Sequence, residues 1–146
     1  MLYFAYGSNL NHKQMRRRCK GSRFVKKFNL KGYKLIFSHY KESNTYGHAN
    51  VVKSKRYKVV GGIWQISKKN ENCLDIYEDF PTYYQKKYFS LKGKKVLFYI
   101  QNKFFRKKPT STYLHTIIEG YKDCKLNLTF LKKKIAYYNL KYKIKW

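Results

Sequence analysis

A chain of 146 residues, 43% apolar and 19% aromatic, is long and oily enough to form one globular domain over residues 1–146, and it is not a disordered chain. Thirty-four Lys and Arg against seven Asp and Glu give a formal charge of +27, which forces nearly the whole surface to be positive. With eight Gly and two Pro there is no collagen-like or Pro-rich segment, and no apolar run approaches the ~20 residues a membrane-spanning helix requires.

Residues 2–6 are a compact apolar run that reads as a buried strand. The run breaks at Gly7-Ser8-Asn9, and residues 11–19 then read as a short basic helix with Ser8, Asn9 or Asn11 as its N-cap. Residues 23–30 and 33–40 read as paired strands joined by a tight turn at Lys31-Gly32, followed by a polar loop over 41–48. Strand character returns over 49–53 and 57–66, where Gly61-Gly62 predicts a bulge or a close backbone approach. Ser67 starts a helix that carries Cys73, Leu74 and Tyr77 at helical spacing and stops near Asp79, because Pro81 pushes Phe80 out of the α region. Residues 84–91 and 95–101 form a hairpin across Lys92-Gly93-Lys94. Past Pro109, Ser111 or Thr112 caps a helix whose Leu114, Ile117, Ile118 and Tyr121 fall on one face. Asn127 opens a last helix that buries Leu128, Leu131, Ile135 and Tyr138. The pattern is α+β: a small mixed, mostly antiparallel sheet or barrel of six to seven strands with three to four short helices outside.

Three cysteines (Cys19, Cys73 and Cys124) are odd in number, far apart and without CxxC spacing. Together with an N-terminus that carries no basic region before a long apolar stretch, they point to unpaired thiols in the cytoplasm. The four His show no metal-ligand spacing, and no Walker A or GxGxxG occurs, so neither metal nor nucleotide cofactor is expected. Of the 34 basic residues 28 are Lys, and they form short runs along the whole chain, among them 53–58, 106–108 and 132–134. Base-edge recognition leans on the Arg fork, so specific nucleic-acid binding is not expected. A noncatalytic basic protein that binds RNA or a protein partner is the alternative to an enzyme.

Carboxylates are scarce enough that their placement is informative. Asp75, Glu78 and Asp79 lie within five residues at the end of the helix that Ser67 starts. Asp75 and Asp79 are expected to pair with Lys68, Lys69, Lys86 or Lys87. Glu78 sits among Tyr77, Phe80, Tyr83 and Tyr84 in sequence, an environment that desolvates a carboxylate and raises its pKa toward general-base range. The turn Tyr6-Gly7-Ser8-Asn9-Leu10 has two readings: free backbone N–H groups presented to an anion, or an ordinary strand-to-helix connection.

Four blocks in order resemble the γ-glutamylcyclotransferase (AIG2-like) family: Tyr3-Phe4-Ala5-Tyr6-Gly7-Ser8-Asn9-Leu10; Ala49-Asn50-Val51-Val52 with Val60-Gly61-Gly62-Ile63-Trp64-Gln65-Ile66; Leu74-Asp75-Ile76-Tyr77-Glu78-Asp79-Phe80-Pro81; and Pro109-Thr110-Ser111-Thr112-Tyr113-Leu114. The resemblance implies a small, partly closed barrel with helices outside and a substrate site at Tyr3, Phe4, Ala5, Tyr6, Gly7, Ser8 and Asn9. It places the acid/base at Glu78, a substrate-contacting tyrosine at Tyr113, and Tyr99 on the pocket wall. It implies a small γ-glutamyl substrate, no cofactor, and release of 5-oxoproline by attack of the substrate's own α-amine. The sequence departs from the family at Asp79, where many relatives carry Gly.

Overall fold

A short apolar strand, β1 (Leu2–Ala5), is threaded between two others and buried on both faces, as its uninterrupted Leu-Tyr-Phe-Ala run requires. The computed structural model, which describes residues 1–146, continues with a 3-10 turn (Ser8–Leu10), α1 (His12–Arg18), β2 (Arg23–His39), β3 (His48–Gln65) and α2 (Lys68–Tyr77). Then come β4 (Gln85–Leu91), β5 (Lys94–Ile100), β6 (Phe105–Arg106), α3 (Ser111–Asp123) and α4 (Leu128–Ala136). The six strands form one curled half-barrel sheet in the order β4-β5-β1-β3-β2-β6. Only β1 and β5 are parallel; every other neighbouring pair is antiparallel. No helix is long and apolar enough to cross a membrane.

Two expected strand pairs are each one strand. β2 runs unbroken through Lys31-Gly32, and β3 unbroken from 48 to 65. Register explains it: Lys31 pairs with Lys58, but the next pair is Tyr33 with Lys53. One residue is skipped on β2 (Gly32, φ +83) against four on β3 (residues 54–57), so the positive-φ glycine serves an irregular bulge rather than a hairpin turn. The polar segment after His39 is the true connection. At Gly61 the close approach is real, since a Cβ there would collide with the Ala5 carbonyl oxygen.

Helix starts follow side-chain caps. Asn11 accepts from the Gln14 amide, Ser67 and Asn70 form a capping box, and Asn127 accepts from the Thr129 amide. The cap of α3 is Thr110, one residue ahead of the expected Ser111 or Thr112. On α4, Leu131 and Ile135 are buried, whereas Leu128 and Tyr138 are only partly so. The two-residue β6 is too short to carry an alternation that sequence could show.

Candidate active site

β1 runs between β5 and β3 and ends at the turn that starts at Gly7. Beyond Gly7 the chain turns into the 3-10 helix, which no side chain caps, leaving first-turn amides for another acceptor. Gly7 is required for space: a Cβ would come within 2.9 Å of the Ala49 Cβ and 3.3 Å of the Tyr113 hydroxyl. Gly120 matters similarly from outside, because α3 crosses so close that a Cβ would meet the Asn11 nitrogen and Leu10 Cβ at 2.7 Å.

The cavity here, about 320 Å³ of empty space counting the open solvent at its mouth, is lined by Gly7, Ser8, Asn9 and Ala49 and by Tyr3, Tyr6, Tyr84, Tyr99 and Tyr113. Glu78, the C-cap of α2, completes it. Asn9 is the organising side chain. Its Nδ2 donates to Glu78 Oε1 and to the Tyr3 hydroxyl, each at 3.0 Å. Its Oδ1 accepts from Gln14 Nε2 at 3.1 Å and Arg18 Nη1 at 3.0 Å. Every hydrogen-bonding capacity of the amide is used, so its orientation is fixed with donors toward the carboxylate. Gln14 and Arg18 stand four apart on α1, which brings both to the same face. Arg18 is further held over the Tyr77 ring, 4.4 Å from its centroid.

Burial pushes the Glu78 carboxyl up to about 7, against the opposing pull of the Arg18 guanidinium and the Asn9 hydrogen bond. The residue keeps some solvent contact, but its carboxyl faces tyrosine rings rather than open water. Of the sequence neighbours that suggested desolvation, Tyr84 lines this cavity, and Tyr77 and Tyr83 line the adjoining chamber that Glu78 also borders, although Tyr77 is 55% exposed; Phe80 lines neither. Burial, reinforced by the charge of Glu78, also lifts Tyr3 and Tyr6 well above the ordinary phenol range, so both stay protonated. Tyr3 accepts from Asn9, and its own proton has no acceptor in the protein. Tyr113 accepts from the Ala49 amide at 2.9 Å, and Tyr84 donates to the Ala49 carbonyl at 2.6 Å.

Asp75 pairs with Lys86 at 2.8 Å, as expected, and accepts from the Tyr99 hydroxyl at 2.6 Å. Lys86 also reaches Glu71, which binds Lys68. Burial alone would raise Glu71; its two lysines prevail and hold it below the usual carboxylate range. Asp79 differs from expectation, for it pairs with no cation. It sits at φ +48, in the left-handed region that suits Gly and that Asp tolerates better than most residues.

A second chamber opens from the first, sharing Ser8, Glu78, Tyr84 and Tyr113 and holding about 610 Å³. Gln14, Arg18, His48, Tyr77, Asp79, Tyr83 and Thr116 complete its lining. The geometry thus brings together Tyr3, Tyr6, Gly7, Ser8, Asn9, Glu78, Tyr99 and Tyr113 of the expected set, while Phe4 and Ala5 do not line either chamber. Phe4 instead packs edge-on against Phe28 and Phe89.

The family model for gamma-glutamyl cyclotransferase, AIG2-like, matches residues 3–119. Human gamma-glutamylcyclotransferase is 30% identical over 142 residues, covering 90% of this chain and 76% of the human protein. The chain belongs to the gamma-glutamyl cyclotransferase family. A solved gamma-glutamyl cyclotransferase superposes with a TM-score of 0.80 at 27% identity, over 99% of this chain and 92% of that one. An uncharacterized human protein does so at 0.82 and 29%, over 99% and 91%. The Bacillus subtilis protein YkqA shares the fold at 18% identity and a TM-score of 0.68, over 93% of this chain and 54% of its own. Within this gamma-glutamyl cyclotransferase-family chain, sequence reading misses Gln14 and Arg18; Tyr84 is named there only as a neighbour that desolvates Glu78, and Ala49 only within a resembling block, neither as a cavity wall. Only the i, i+4 spacing of Gln14 and Arg18 signals a shared target.

Proposed function

We propose that the protein is a γ-glutamylcyclotransferase acting on small γ-glutamyl compounds in one domain, residues 1–146. The observation that carries this reading is Glu78, a carboxylate with a pKa of about 7 held by Asn9 beside the uncapped turn after β1. The substrate's α-amine attacks its own γ-carbonyl carbon. A five-membered ring closes, the γ-amide C–N bond breaks, and 5-oxoproline leaves with a free amine. Nucleophile and electrophile share one molecule, so the cavity's first task is to hold it folded for attack. Glu78 takes a proton from the α-ammonium and returns it to the leaving nitrogen. First-turn amides and the free Tyr3 proton face the developing oxyanion or the α-carboxylate.

Proton transfer is the demanding step. From an α-ammonium near pKa ~8 to an ordinary Glu at ~4.3 it costs about 5 kcal/mol. With Glu78 at about 7 the gap falls to roughly one unit, or about 1.4 kcal/mol. Desolvation by burial therefore outweighs the opposing Arg18 guanidinium and the Asn9 hydrogen bond. Three unpaired thiols fit a cytoplasmic site of action.

The test is a panel of γ-glutamyl amino acids, glutathione and γ-glutamylamines, followed by mass spectrometry. Equal amounts of 5-oxoproline and free amine from at least one member are expected. No 5-oxoproline from any member overturns the proposal.

A further inference from the structure

Cations from two basic runs that lie far apart in sequence, 106–108 and 132–134, converge with Lys34 at one place outside the catalytic cleft. A concave pocket with about 450 Å³ of empty space lies between β2, the bulge of β3, β6 and the end of α4. Its cations are Lys34, Arg106, Lys133 and Lys134, and no carboxylate lines it. The bulge at residues 54–57 brings Tyr57 to meet them. Lys34 Nζ lies 5.0 Å and Lys134 Nζ 4.5 Å from the centroid of the Tyr57 ring, and Arg106 lies 5.4 Å from that of Tyr137. Aromatic faces thus hold three of the four cations in place at the cost of their mutual repulsion.

What sets these four cations apart from the basic surface is their convergence on one concavity around Tyr57 and Tyr137, not the lack of a partner, since only Lys68, Lys86 and Lys122 of the 34 basic residues form ion pairs. Burial and the charge of Lys34 pull Lys134 below the usual lysine range, the strain expected of like charges gathered without an anion. A single carboxylate supplies one charge against four. A di- or triphosphate group supplies several, on tetrahedral oxygens that both ammonium and guanidinium groups bind well.

We propose that this pocket is a binding site for an oligophosphate anion, independent of the γ-glutamyl site. It shares no lining residue with either chamber of the cleft. The chemistry recognised is a chain of phosphates, whether free or carried by a nucleoside.

The full chain is titrated by calorimetry with inorganic tripolyphosphate, ATP and adenosine at about 150 mM salt, where surface charge is largely screened. Saturable one-to-one binding of both phosphates, and none of adenosine, is expected. Tighter binding of ATP would assign the ligand to nucleotides, and equal binding to inorganic chains; each upholds the site. The pair Lys34→Gln and Lys134→Gln should weaken binding at least about tenfold. Removing the same charge at Lys94→Gln and Lys95→Gln should leave it unchanged. Tyr57→Leu, which keeps every charge, should weaken it as well, and Arg106→Gln on exposed β6 repeats the test should a Lys34 variant melt early. Equal weakening by the two lysine pairs, failure to saturate, or binding of single-stranded RNA without either phosphate overturns the proposal.

Discussion

Glu78 is the residue on which the chemistry turns, and its environment makes two measurable demands. Its folded pKa of about 7 lies above the ordinary 4.5, so the protonated form is the one the fold prefers. The associated stability is fully present below about pH 4.5 and is lost as pH rises through 7. Glu78→Gln never ionises, so its advantage in denaturant unfolding over the parent should grow between pH 5 and pH 8, toward a ceiling of roughly 3 kcal/mol. An advantage independent of pH would contradict the buried carboxyl. Arg18 opposes that burial, holding the carboxyl lower than it would otherwise be. In Arg18→Gln the acid limb of kcat/KM should therefore move to higher pH, by roughly one unit. A limb that stays put, or moves down, contradicts the assignment of Glu78 as the titrating group. Asn9 ties the two together, and its role is not legible in sequence: YGSN spacing says nothing about Gln14 and Arg18 filling the acceptor side of one amide.

At the scale of elements, the site depends on close approach more than on any single strong contact. α3 lies against the 3-10 turn at Gly120, with Leu10 and Asn11 backbone atoms where a Cβ would go. Gly120→Ala should cost roughly 1–3 kcal/mol by overpacking, and should also lower turnover by displacing Ser8 and Asn9. Thermal melts and kinetics on the same preparation check both; an unchanged Tm together with full activity contradicts the packing. Elements of one clear period are legible in the residue pattern itself: β1, the β4–β5 hairpin, and α3 with Leu114, Ile117, Ile118 and Tyr121 buried. The β2–β3 pair is not. Lys31-Gly32 carries the signature of a turn, and only long-range register reveals Gly32 as part of a bulge that displaces residues 54–57. A local signal for positive φ is the same in either case. That bulge then supplies Tyr57 to the phosphate pocket, so the element whose local pattern misleads is the one that builds the second site.

Over the whole molecule, seven carboxylates must serve a chain of +27. Glu71 and Asp75 are taken by Lys68 and Lys86, and through Asp75 they fix Tyr99 on the cavity wall. Glu78 has no ion-pair partner and faces the cleft, and Asp79 borders its outer chamber. The flanking aromatics already single out Glu78 within the carboxylate cluster in the sequence, but they do not show that Asp79 too is left without a cation. The blocks of residues 3–10, 49–52, 74–81 and 109–114 converge because β1 is flanked by β3 and β5 while α3 packs across the turn. Phe4 and Ala5 belong to that motif as packing, with Phe4 fully buried against Phe28 and Phe89. Everything proposed for the cleft rests on Glu78 moving the proton during ring closure. The measurement that tests it most directly is 5-oxoproline release by Glu78→Gln beside Asp75→Asn and Asp79→Asn, each checked for folding. The predicted result is a fall of roughly 10²–10⁴ for Glu78→Gln with little change in substrate affinity, and much smaller losses for the other two. A folded Glu78→Gln protein that releases 5-oxoproline at the parent rate contradicts it.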